Sequence, residues 1–159
     1  VAQRLATGWP SPSECEVDEV NENPSAPAWI AVRSSARIAS NSSIARLALA
    51  TCSTSTGQLW VAVPEASGAV RLTTVLDGSA MCLDLVDGTN RLALAACGER
   101  PGQLWHLIPA GGDGYRLTSD AGGPNRCLDV VNDGTNDQVQ IVPCGNYSGQ
   151  FWFTAAVPR

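Results

Sequence analysis

Two aspartates, Asp84 and Asp129, stand in one recurring phrase, Cys-Leu-Asp, opened by Cys82 and Cys127. A carboxylate in such a setting accepts hydrogen bonds, either from a ligand or from the backbone of its own turn. The partners that catalysis would need are missing. There is one histidine, His106, directly after Trp105, and no G-x-S-x-G turn or pair of carboxylates at a catalytic spacing. We therefore do not expect an enzyme. Metal chemistry fares no better. Glu14, Glu16, Asp18, Glu19 and Glu22 lack the D-x-D-x-D-G spacing of a calcium loop and read as a solvated acidic arm. Six cysteines are present, with no C-x-x-C pair among them. No metal or cofactor is expected.

Composition excludes further classes. Charged residues make up 16% of the 159 positions and the net charge is −5. All ten cationic side chains are Arg. An acidic chain without Lys is a poor match to a phosphate backbone, so nucleic acid is not an expected partner. No apolar run approaches the roughly 18 residues of a membrane-spanning helix. "VAQRLATGWP" has no apolar signal core, so the expectation is a chain that starts after processing or was cut from a longer one. An even number of cysteines suggests an oxidising compartment. The Ala-rich, Lys-free composition suggests a GC-rich genome, in which sequons at Asn41 and Asn146 would stand idle.

The elements that position the aspartates come from a repeat. "QLW" at Gln58 and Gln103 and "QFW" at Gln150 begin 45 and 47 residues apart. Cys52, Cys97 and Cys144 each precede their Gln by six residues. Arg-Leu-Thr recurs at Arg71 and Arg116. Within each unit the apolar residues alternate: Leu47 and Leu49 with Ala48 and Ala50, Leu92 and Leu94 with Ala93 and Ala95, Val139 and Ile141 with Gln140 and Val142. Period two predicts strands with one face buried and one facing out. Asp87-Gly88, Asp133-Gly134 and the Gly111–Gly114 run are turn signals. No amphipathic helix of useful length is present, so the chain reads as all-β. Three units of about 45 residues exclude a long solenoid, because three would barely bury their faces, and a closed three-fold barrel fits better since closure removes exposed strand edges.

Three Q-x-W copies, each preceded by Cys and two opened by C-L-D, resemble the R-type (ricin B-chain-like) β-trefoil lectins and the related carbohydrate-binding modules. The resemblance covers roughly residues 28–157. It implies an all-β trefoil at 28–159, in units near 28–62, 63–107 and 108–157, behind an N-terminal arm or linker at 1–27. It also gives the cysteines partners: Cys82 with Cys97 and Cys127 with Cys144. Arg37 stands where a partner for Cys52 belongs, leaving Cys15, a bond that would tie the arm to the barrel. Metal ligation is the rival reading of these cysteines. Trp60, Trp105 and Trp152 are expected in the core, Trp29 at the first strand, and Trp9 has no assigned place.

In such lectins the Asp of C-L-D accepts bonds from sugar hydroxyls, an aromatic before the second Cys stacks on the ring, and an Asn before Q-x-W adds a polar contact. The Gln and Trp of Q-x-W are mostly structural there. By that comparison the third unit is best preserved, with Asp129, Gln140 and Gln150 in place. Val142 and Gly149 stand at the aromatic and Asn positions, and we expect Tyr147 and Asn146 to supply ring and amide from a shifted position. The second unit keeps Asp84 and Gln103 but has Ala93, Ala95 and Gly102. The first has Ala39 for the Asp, then Ala48, Ala50 and Gly57, and is expected to be inactive. The implied function is a secreted or extracellular glycan-binding domain, galactose-type, with at most one or two working sites. The alternative is a degenerate trefoil that binds a partner protein, as an accessory subunit or fused domain of a toxin or secreted enzyme. Protease inhibition would need an exposed specificity loop that the sequence does not identify.

Overall fold

The computed structural model describes residues 31–32, 36–39, 45–49, 57, 60–112, 114–131, 133 and 138–155. At 31–32, 36–39, 45–46, 48–49 and 153–155 it describes backbone alone. The acidic arm, Trp9, Trp29, Gln58 and the expected Cys15–Cys52 bond lie outside the described residues.

Among the described residues, short period-two segments bounded by turns give twelve strands. They are β1 (Ala31–Val32), β2 (Ala36–Ala39), β3 (Ala45–Leu49), β4 (Trp60–Pro64), β5 (Val70–Thr74) and β6 (Met81–Leu85). Then follow β7 (Leu92–Ala96), β8 (Trp105–Pro109), β9 (Gly114–Ser119), β10 (Arg126–Val130), β11 (Val139–Pro143) and β12 (Trp152–Ala155). Each repeat contributes four strands, and each Q-x-W Trp opens the fourth. The unit boundaries read from the repeat fall inside β4 and β8, because the chain reverses only at the turns that follow those strands. No helix among the described residues is long and apolar enough to cross a membrane.

Six strands pair in the order β1-β12-β9-β8-β5-β4. The two end strands, β1 and β4, return to each other's neighbourhood, so the sheet curls toward closure. The other six form the hairpins β2–β3, β6–β7 and β10–β11. These hairpins are joined to one another: β3 pairs with β7 through Ala45↔Leu94 and Arg46↔Ala93, and Arg91 bridges to Gln140 of β11. A barrel of six strands capped by three linked hairpins is the closed three-fold barrel that the repeat predicts and the β-trefoil that the resemblance implies.

The core is where the repeated apolar residues converge. Leu47, Leu72, Leu83, Leu92, Leu94, Leu117, Leu128 and Ile141 pack with Trp60, Trp105 and Trp152. Trp105 is fully buried. Its indole N–H donates to the Leu83 carbonyl at 2.9 Å, and the Trp152 N–H donates to Leu128 at 3.1 Å. Buried indoles need such an acceptor, so each Trp fills the core and fixes the strand carrying its Asp. The alternation in β7 is less clean than its sequence. Ala93 is buried along with Leu92 and Leu94, because it lies opposite Asp84, itself buried, and beside β3.

Candidate functional site

The two aspartates sit in equivalent mechanical settings. Cys82–Cys97 and Cys127–Cys144 are both bonded, each with Cα atoms 5.0 Å apart, as the resemblance implied. Each bond ties the Asp strand to the end of the next strand. Just beyond it the chain makes a one-turn 3₁₀ helix, Pro101–Gln103 or Ser148–Gln150, ending on the Gln of Q-x-W. Both glutamines have no exposed surface. Gln103 accepts from the Gly98 N–H at 2.9 Å and donates to the Ala96 carbonyl at 2.9 Å and to Asp84 Oδ2 at 3.2 Å. Gln150 repeats this with Gly145 at 2.8 Å, Pro143 at 3.1 Å and Asp129 Oδ2 at 3.0 Å. With its amide saturated and its side chain enclosed, each Gln holds its aspartate in place and presents nothing to a ligand.

The glycine before each Gln has a steric reason. A Cβ on Gly102 would lie 2.3 Å from Asp84 Oδ1, and one on Gly149 would lie 2.3 Å from Asp129 Oδ1. The turn packs directly onto the carboxylate. An Asn at that position could not be accommodated without moving the aspartate.

The two sites then diverge on the facing strand, Ala93 against Gln140, and at the residue before each 3₁₀ helix. The residue before each 3₁₀ helix is extended, with φ −108° at Arg100 and −99° at Tyr147. In the second unit the Arg100 guanidinium reaches Asp84 Oδ2 at 3.0 Å and approaches Asp87 at 4.0 Å. Asp84 is left 3% exposed. A hydroxyl would have to displace a cation from the same chain to reach it. In the third unit Asp129 is half-buried and none of the described ion pairs involves it. The residue at the Arg100 position is Tyr147, 62% exposed.

The Tyr147 ring rests on Gly145, so closely that a Cβ there would come within 2.3 Å of its Cε2. Gly145 is held from both sides, its N–H by Gln150 and its carbonyl by the Arg116 guanidinium at 2.9 Å. Arg116 in turn lies over the Phe151 ring, 5.2 Å from its centroid. Gln140 lies directly opposite Asp129 in the β10–β11 ladder, so both project to the same face. Val142 is on that face too, opposite Cys127. Asn146 is exposed beside Tyr147. The structure thus brings Asp129, Gln140 and Gln150 together at one hairpin and its adjoining turn, which also carries Asn146 and Tyr147. Asp84 and Gln103 form a separate, closed counterpart.

Sequence reasoning passed over Arg100, although aligning the repeats on their glutamines sets it opposite Tyr147. It likewise passed over Arg116 as an anchor of this loop. His106 pairs with Asp120, Nε2 to Oδ1 at 2.6 Å, away from either aspartate's hydrogen-bond set.

A barrel with three capping hairpins, and a buried Q-x-W glutamine that makes the same three hydrogen bonds in the second and third units, define a β-trefoil. The sequence model of the ricin-type β-trefoil lectin domain matches residues 34–152, and the chain belongs to that family. Comparison with curated proteins returns no match. Among solved structures it is similar to a designed three-fold symmetric protein, ThreeFoil, with a TM-score of 0.63 and 19% identity over 80% of this chain and 96% of that one. The hemolytic lectin CEL-III matches with a TM-score of 0.63 and 19% identity over 79% of this chain, which spans 29% of CEL-III. A chain of the Haemophilus ducreyi cytolethal distending toxin matches with a TM-score of 0.58 and 17% identity, over 86% of this chain and 89% of that one. At these identities the likeness is one of fold.

Proposed function

We propose that this chain is a secreted or extracellular carbohydrate-binding domain of galactose type, with one working site, in its third unit. The observation that carries the reading is the difference between two matching carboxylates: Asp84 is closed by Arg100, and Asp129 is not. In this reading Asp129 accepts hydrogen bonds from two sugar hydroxyls, with Gln150 fixing its orientation. Gln140 offers its amide from the facing strand. Tyr147 covers the apolar face of the ring and Asn146 adds a polar contact at the rim. Disulfides at the base of both loops fit an oxidising, extracellular setting. In this reading the domain is a binding module.

Titration with lactose tests the platform. One equivalent binding weakly, and about threefold to tenfold more weakly in Tyr147→Ala, is expected from the loss of a stacking ring. Unchanged affinity in that variant would remove Tyr147 from the site.

A second reading has its own support. Val142 replaces the usual stacking aromatic, and Leu76 is 65% exposed beside Val75 at 44%. These features suit a trefoil that docks on a partner protein as an accessory subunit or fused domain. Such docking would be indifferent to Asp129→Ala.

A further inference from the structure

Beside the third-unit site stands a cation contributed by the second unit. Arg91 and Gln140 form an antiparallel bridge, and Gln140 pairs on its other side with Asp129. Residues directly opposite one another project to the same face, with Cβ atoms about 5 Å apart at each step. Asp129, Gln140 and Arg91 therefore form one row across three strands: an acceptor, an amide and a cation. The bridge is held in place by the neighbouring Ile141 N–H, which donates to the Asn90 carbonyl at 2.9 Å.

Arg91 also differs from the other arginines whose side chains are described. Arg71 faces Glu65, Arg100 faces Asp84, Arg116 holds Gly145, and Arg126 donates to the Asn90 side chain and the Ile141 carbonyl. Arg91 is exposed, and its guanidinium has no partner among the described residues. Its Cβ stands about 10 Å along the row from that of Asp129, two ladder steps away, and its guanidinium is a bidentate donor. From that position a long side chain can meet a substituent or the next residue of a glycan whose ring is seated at Asp129.

We propose that Arg91 makes this site select anionic glycans, those carrying a carboxylate or a sulfate next to the ring seated at Asp129. The inference rests on the reading of Asp129 as the hydroxyl acceptor. A guanidinium pairs two-pronged with either anion, and a neutral glycan leaves it in water. Asp129 then sets whether a sugar binds, and Arg91 sets which one is preferred.

The test is calorimetric titration of the natural chain, Arg91→Gln, Arg91→Lys and Asp129→Ala with lactose, sialyllactose and sulfated lactose at low salt. Expected is about threefold to fivefold tighter binding of at least one anionic sugar, as for a solvent-exposed ion pair. Arg91→Gln should erase that preference and leave lactose unchanged, Arg91→Lys should keep part of it, and added salt should shrink it. Whichever anionic sugar shows the preference identifies the group recognised. Equal affinities in the natural chain, or a preference that survives Arg91→Gln, overturns the proposal while lactose binding lost in Asp129→Ala still supports the site. No binding of any sugar overturns both.

Discussion

Arg100 and Tyr147 occupy the same station in two copies of one turn, and they do opposite things there. Arg100 lies on the Asp84 carboxylate at 3.0 Å, whereas Tyr147 turns outward and packs its ring on Gly145. The hydrogen bonds beneath them are the same in both units, and this position decides whether the carboxylate is covered by a cation, while the facing strand adds Gln140 in one unit and Ala93 in the other.

Exchanging that residue should open the closed site. In an Asp129→Ala background, Arg100→Tyr is expected to bind one equivalent of lactose, where Asp129→Ala alone binds none. Removing half of a half-exposed ion pair should cost about 1 kcal/mol of stability. Titration that finds no binding, with the fold intact by circular dichroism, would show that something besides Arg100 closes the second unit.

The glycines before Q-x-W can be tested by adding one methyl group. Gly149→Ala places a Cβ against Asp129 Oδ1 and must push the carboxylate aside. We expect a loss of about 1–3 kcal/mol, seen as a lower Tm, together with at least tenfold weaker sugar binding. Gly102→Ala should cost similar stability and leave sugar binding alone. If the two variants bind sugar equally well, Asp129 is not the acceptor.

Gln103 and Gln150 offer a paired control. Each loses three hydrogen bonds on truncation to Ala, at a cost of about 2–4 kcal/mol of stability. Only Gln150→Ala should also weaken sugar binding, by freeing Asp129. Thermal unfolding alongside titration separates the two effects, and parallel losses of binding in both variants would contradict a single third-unit site.

Much of the architecture was legible in the sequence because trefoil packing is repetitive. Leu92, Leu94, Leu128 and Ile141 alternate with period two, and Trp105 and Trp152 recur at fixed offsets from their cysteines. Physical demands on a core are local and leave a periodic trace. The site was less legible. Asp84 and Asp129 stand in nearly the same phrase, and what closes one of them is a cation reaching back sixteen positions. Nor does the sequence show that Gly149 presses on Asp129, or that Arg91 of one unit lines up with Gln140 of the next. Those are consequences of register between units, which no single repeat contains.

The cysteines carry a separate expectation. Closing loops of 15 and 17 residues contributes about 3 kcal/mol each in the chain-entropy account. Replacing Cys127 and Cys144 together by Ser should lower stability by that order and loosen the turn beneath Tyr147. Mass after alkylation without reduction should show no modified cysteine. Two modified residues would leave Cys15 and Cys52 unbonded, contrary to the pairing expected from the sequence.

The most direct test of the central claim is a glycan array probed with the oxidised protein beside its Asp129→Ala variant. Signal on galactose-terminated glycans that disappears in the variant is the expected result, and it would establish a lectin working through its third unit. A blank array for the natural sequence, or a signal that Asp129→Ala leaves intact, would contradict it.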